Sequence, residues 1–68
     1  MKKNKKKFDF TPYLGKNVLI AEFGDYVMEG TILKVINKHY ALIGRTIPKE
    51  KPFWISGTNH EVVTILDE

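Results

Sequence analysis

The sequence predicts an all-β fold: one small barrel of five strands, the second long and strongly bent. Runs rich in Val, Ile, Thr and aromatics recur at short intervals: VLIAEF (18–23), YVMEGTILKVI (26–36), HYALIG (39–44), PFWIS (52–56) and EVVTILD (61–67). Such residues fit a pleated, half-buried surface. Turn formers part these runs at FGDY, INKH, RTIPKEKP and SGTNH, which is the punctuation of short antiparallel strands. Only PYLG (12–15) leaves room for a helical turn.

The first hairpin allows a register to be written. With Gly24-Asp25 as a two-residue type II′ loop, Phe23 pairs with Tyr26, Ala21 with Met28 and Leu19 with Gly30. One face then carries Leu19, Ala21, Phe23, Tyr26, Met28 and Ile32; the other carries Val18, Ile20, Glu22, Val27, Glu29 and Thr31. A slip by one residue is expected to drive both glutamates inward, which would specify the register. Gly30 sits in the middle of the second strand, where a glycine signals a bend or the close approach of another backbone. Beyond it Ile32, Leu33, Val35 and Ile36 cover both faces, as expected of a strand shared between two halves of a curled sheet. RTIPKEKP (45–52) reads as the longest connection, with Pro48 and Pro52 shielding a sheet edge.

Sixty-eight residues make one domain, divided here into a basic tail over 1–10 and a barrel over 11–68. A chain this short holds a marginal core, which keeps homo-oligomerisation open. There is no cysteine, so thiolate metal sites and disulfides are excluded; a reducing, cytoplasmic setting fits. No apolar run reaches the roughly 18 residues that span a bilayer, and Asp9, Thr11 and Pro12 stand where a signal peptide needs its apolar stretch. Charge is distributed unevenly. Of 11 basic residues five are Lys2, Lys3, Lys5, Lys6 and Lys7, while from Phe8 onward 6 basic residues face 8 acidic ones. The basicity belongs to the tail.

LGKNVLIAEFGDYVMEGTILKV (14–35) resembles the first motif of the Sm-like (Sm/LSm/Hfq) family, with Gly15-Lys16, Val18, Ile20, the Gly24-Asp25 turn, Gly30 and Ile32 in matching places. Trp54-Ile55-Ser56-Gly57 and then 62–65 resemble the second motif. The resemblance implies an SH3-like or Sm-like small barrel, RNA as ligand and ring assembly. It departs at the RNA site. The family's paired Asp and Asn fall on Ile36 and Tyr40, or with one inserted residue on Asn37 and Ala41, and the Arg of the second motif is Ser56. The family's amphipathic N-terminal helix has no room in residues 8–15.

The chemistry-bearing candidates are few. The tail lysines 2, 3, 5, 6 and 7 suit phosphates through counterion release, or an anionic membrane surface with Phe8 and Phe10 dipping into it; the alternative is a solvated terminus. Lys38 and Tyr40 suit a phosphate and a stacked base; the alternative is a turn lysine and a rim aromatic, with His39 solvated. Arg45, with Lys49 and Lys51, extends a basic strip or merely guards an edge. Trp54 faces outward as an interface or base anchor, or inward as core. His39 and His60 lack metal-ligand spacing, no nucleophile–base pair exists and no glycine loop cradles a phosphate, so neither an enzyme nor a cofactor is expected. The expected function is non-enzymatic nucleic-acid binding, RNA before DNA; the alternative is a protein–protein adaptor or assembly module.

Overall fold

The computed structural model describes residues 7–23, 26–46 and 49–66. These form a short 3-10 turn at Thr11–Tyr13 and five strands: β1 (Asn17–Glu22), β2 (Tyr26–Ile36), β3 (Tyr40–Thr46), β4 (Lys49–Ser56) and β5 (His60–Ile65). All pairings are antiparallel, in the order β4-β3-β2-β1-β5. β4 and β5 are therefore opposite edges of the sheet, yet Gly57, Thr58 and Asn59 alone connect them. Four residue steps reach about 14 Å, whereas the edges of a flat five-stranded sheet lie about 19 Å apart. The sheet must curl. Among the described residues no ladder joins β4 to β5, so the curl stops short of the closed barrel expected from the sequence.

Curling creates an inner face. Val18, Ile20, Met28, Ile32, Ala41, Ile43 and Ile55 line it, all at most 5% exposed, and each aliphatic side chain so buried contributes roughly 1.5–3 kcal/mol of transfer free energy. Three bulges set the curvature, each adding one residue to a strand: Leu33 in β2, Val63 in β5, and the Lys51-Pro52 step opposite Gly44 in β4. Gly30 faces this interior. A Cβ there would lie 2.5 Å from Ile43 Cγ2 and 3.2 Å from the Gly44 carbonyl, the close approach that a mid-strand glycine signalled.

The register of the first hairpin differs from the expectation by one residue. Glu22 pairs with Tyr26, Ile20 with Met28 and Val18 with Gly30, leaving residues 23–25 in the connection; the type II′ geometry assigned to Gly24-Asp25 lies outside the described residues. β2 keeps the expected face inward and β1 turns over. Val18 and Ile20 are buried in place of Leu19 and Ala21. Both faces of β1 are apolar, so its pattern had no power to choose, and the glutamates posed no obstacle. Glu29 stays outward against Leu19, and Glu22 reaches only the strand's end, opposite His60. The third and fourth strands also run further than expected. Arg45 pairs with Glu50 and Thr46 with Lys49, so most of the supposed RTIPKEKP loop is hairpin. Pro52 fits because it lies at a bulge of an edge strand, where a missing N–H breaks no ladder bond.

The domain also begins earlier than residue 11. Phe10 is fully buried in the core cluster, with Phe8 and Tyr13 packed against it; the Phe8 ring meets Phe10 edge-on at 5.0 Å and stacks on Tyr13 at 5.7 Å. The Phe8 N–H donates to the Gly57 carbonyl at 3.0 Å and the Phe10 N–H to the Lys38 carbonyl at 2.7 Å. His39 Nδ1 donates to the Phe8 carbonyl at 3.0 Å, so His39 is a half-buried clasp and not a solvated turn residue. Gly57 is required here, since a Cβ would fall on the Phe8 backbone. Phe10 is thereby unavailable to a membrane interface.

Candidate nucleic-acid interface

Side chains alternate across a strand, so burial of Ala41 and Ile43 sends Tyr40 and Leu42 to the outer face. Tyr40 stands opposite Ile36 of β2 and Ser56 of β4, and Leu42 stands opposite Lys34 and Trp54. Phe53 and Ile55 turn inward and Trp54 outward, 48% exposed, which settles the orientation that the sequence left open. Tyr40 at 39% and Ile36 at 45% are also exposed, whereas Leu42 is half-buried beneath them. Tyr40 and Trp54 are diagonal neighbours on adjacent strands, a relation that sets their backbones about 7–8 Å apart. The result is an apolar, aromatic strip across β2, β3 and β4.

Charge gathers at one end of this strip. Lys7 Nζ lies 5.8 Å from the centroid of the Tyr40 ring, within the range of a cation–π contact. Lys38 occupies the β2–β3 turn, exposed and left-handed at φ 68° after Asn37 at φ 52°. That conformation is the one in which its carbonyl accepts the Phe10 N–H. Lys34, facing Leu42, is exposed too. A single carboxylate tempers this cluster. Asp9 Oδ1 accepts the Thr11 N–H at 2.8 Å, and hydrogen bonding from Thr11, helped by the charges of Lys38 and His39, holds the Asp9 carboxyl below its ordinary value.

Of the residues singled out by sequence, Lys7, Lys38, Tyr40 and Trp54 meet at one region. Arg45 does not. It follows Ile43 in the inward row beside Gly30, its side chain is only 13% exposed, and its guanidinium lies 3.7 Å from Glu50. Its Nε is buried with no hydrogen-bond partner. A group so enclosed is no phosphate ligand, and Glu50 cancels its charge. Lys2, Lys3, Lys5 and Lys6 lie outside the described residues. Ile36, Leu42 and Lys34 were missed, although alternation outward from Tyr40 along β2 and β3 finds them once the pairing is known.

A second exposed apolar surface lies on the opposite edge. Along and beside β5, Val63, Ile65 and Leu66 are 55%, 43% and 39% exposed. No lysine or proline stands in residues 60–66. Among the described residues no group of three His, Asp or Glu side chains is gathered as a metal requires, and no helix is long and apolar enough to cross a membrane.

No protein-family model matches the chain, and no match is found among curated proteins or solved structures.

Proposed function

We propose that the protein is a non-enzymatic nucleic-acid-binding module, RNA before DNA, that works through the outer face around Tyr40 and Trp54 with the lysine run as its electrostatic arm. The carrying observation is the Lys7–Tyr40 contact. It sets Lys7, the last residue of the lysine run, against the exposed aromatic face, and basic charge beside stacking rings is the composition of single-strand binding surfaces. The tail supplies affinity that falls with salt, and the rings supply contacts that do not. Resemblance to the Sm-like family favours RNA and favours reading the curled sheet as a small Sm-like barrel. The absence of cysteine fits a cytoplasmic site of action.

The test is a fluorescence-anisotropy titration of an unstructured RNA oligomer over a salt series, with the full chain and with a variant carrying Lys2, Lys3, Lys5 and Lys6 as Gln. Both proteins are expected to bind, with the log–log salt slope of the variant shallower by up to about 3. Absence of binding by the full chain at low salt defeats the proposal.

The unguarded apolar edge of β5 favours a second reading, an assembly or adaptor module that pairs β5 with a partner strand, including another copy. An exposed edge of this kind is a template for strand addition. Val63→Lys is then expected to abolish an association seen by light scattering while leaving RNA affinity intact.

A further inference from the structure

Resting on the nucleic-acid reading above, we infer that the Tyr40–Trp54 face takes a single, unstacked strand by its base faces, without reading base edges, and therefore prefers purines to pyrimidines while tolerating any sequence.

The register of the two ring-bearing positions favours an unstacked ligand. Tyr40 and Trp54 stand on a sheet diagonal of about 7–8 Å, twice the roughly 3.4 Å between neighbouring bases of a stacked strand. Two successive bases can lie on the two rings only if the strand is pulled out of its helical stack. A duplex keeps its base faces hidden, so it meets this surface through phosphates alone.

The composition of the face restricts edge recognition. Reading a base by its edge takes bidentate or matched polar groups: Arg, Lys, Asn, Gln, Asp, Glu, or a Ser or Thr hydroxyl. The six outward positions around the two rings are Lys34, Ile36, Tyr40, Leu42, Trp54 and Ser56, and of the usual edge readers they offer only the ammonium of Lys34 and the hydroxyl of Ser56. Ser56 is tied to the β4–β5 turn, its Oγ accepting the Thr58 N–H at 3.1 Å. Arg45, which has the right chemistry, faces inward beside Glu50. What remains is stacking, whose strength follows ring size and is otherwise tolerant of sequence.

The position of Lys7 completes the arrangement. Its ammonium occupies the face of Tyr40 that a base takes on binding. Displaced from the ring, Lys7 lies beside the phosphate of the incoming nucleotide, and the exchange of one π contact for another keeps the charge where the backbone runs.

The experiment uses the full chain at physiological salt and three labelled probes of equal length: oligoadenylate, oligouridylate and a blunt RNA duplex. Oligoadenylate is expected to bind tightest, oligouridylate several-fold more weakly and the duplex weakest. Tyr40→Ala and Trp54→Ala are each expected to weaken oligoadenylate roughly 5- to 150-fold and to leave the duplex unchanged. Tyr40→Phe and Trp54→Phe, which keep a ring, retain most of the affinity and guard against a mere folding defect. If the alanine variants bind oligoadenylate like the parent, or the duplex binds as tightly as the single strand, the stacking inference falls while nucleic-acid binding through the lysines stands. Failure of every probe at low salt overturns both, and a self-association lost in Trp54→Ala then assigns the face to a protein partner.

Discussion

Residues 54 and 55 are neighbours on one strand, and they belong to two different surfaces. Ile55 is 5% exposed and closes the core against Ala41; Trp54 is 48% exposed and stands beside Leu42 on the outside. The same alternation separates Ala41 from Tyr40. The inner row is mostly aliphatic, with Phe53 beside it, and holds the fold together, whereas the outer row carries two aromatic rings and Lys34, exposed side chains that the core does not use. In a domain this small the core supplies little, roughly 3–5 kcal/mol of net stability, so a tryptophan kept outside it is the feature that the proposed binding role accounts for.

The contrast can be broken most severely from the inside. Phe10→Ala removes a fully buried ring, and at about 3–5 kcal/mol for such a deletion the chain is expected to be largely unfolded at room temperature by urea titration or near-ultraviolet circular dichroism. The experiment separates a core phenylalanine from a tail residue, since a tail residue tolerates the change. Gly57→Ala is the next largest. The new Cβ lands on the Phe8 backbone, and overpacking of that kind costs about 1–3 kcal/mol. Amide exchange at Phe8 and Phe10 is expected to accelerate well beyond that of β1 and β2.

The smallest effects come from charge beside the outer face. Asp9→Asn keeps an oxygen acceptor for the Thr11 N–H and deletes the carboxylate near Lys38 and His39. RNA affinity is expected to rise modestly, with a slightly lower melting temperature at neutral pH, because the amide keeps the Thr11 hydrogen bond but loses the carboxylate's charge. The acid limb follows from the same shift. Because the folded carboxyl titrates below its unfolded value of 3.8, its contribution is present above that pH and is lost as pH falls through the lower folded value. The parent should therefore lose stability relative to Asp9→Asn only in that acid window.

Much of this division was legible beforehand. The five strands, the special position of Gly30 and the two-sided pattern beyond it follow from residue type and spacing, because β-branched runs and a mid-strand glycine each have few physical solutions. The register of β1 was not legible, since Val18-Leu19-Ile20-Ala21 is apolar on both faces and only its pairing with β2 and β5 selects one. Phe10 was hidden by its neighbourhood: five lysines and a proline make a buried phenylalanine look like a tail residue. The β3–β4 hairpin ran on through Lys49-Glu50-Lys51 because an edge strand facing solvent needs no apolar alternation. Arg45 misled for a related reason. Alternation after Ala41 and Ile43 along β3 turns it inward, and the space left by Gly30 admits it; neither is visible in its own residue type. At the candidate interface, Tyr40, Lys38 and Trp54 were chosen by chemistry, but their meeting depends on pairing across three strands, which no local pattern states.

The most direct test sets Trp54→Ala beside Ile55→Ala and measures both the thermal midpoint and the affinity for single-stranded RNA. Ile55→Ala is expected to lower stability by about 2–5 kcal/mol. Trp54→Ala is expected to cost about 1 kcal/mol or less while weakening RNA binding at least fivefold. A Trp54→Ala protein that melts as early as Ile55→Ala, or that binds RNA as tightly as the parent, would contradict the account.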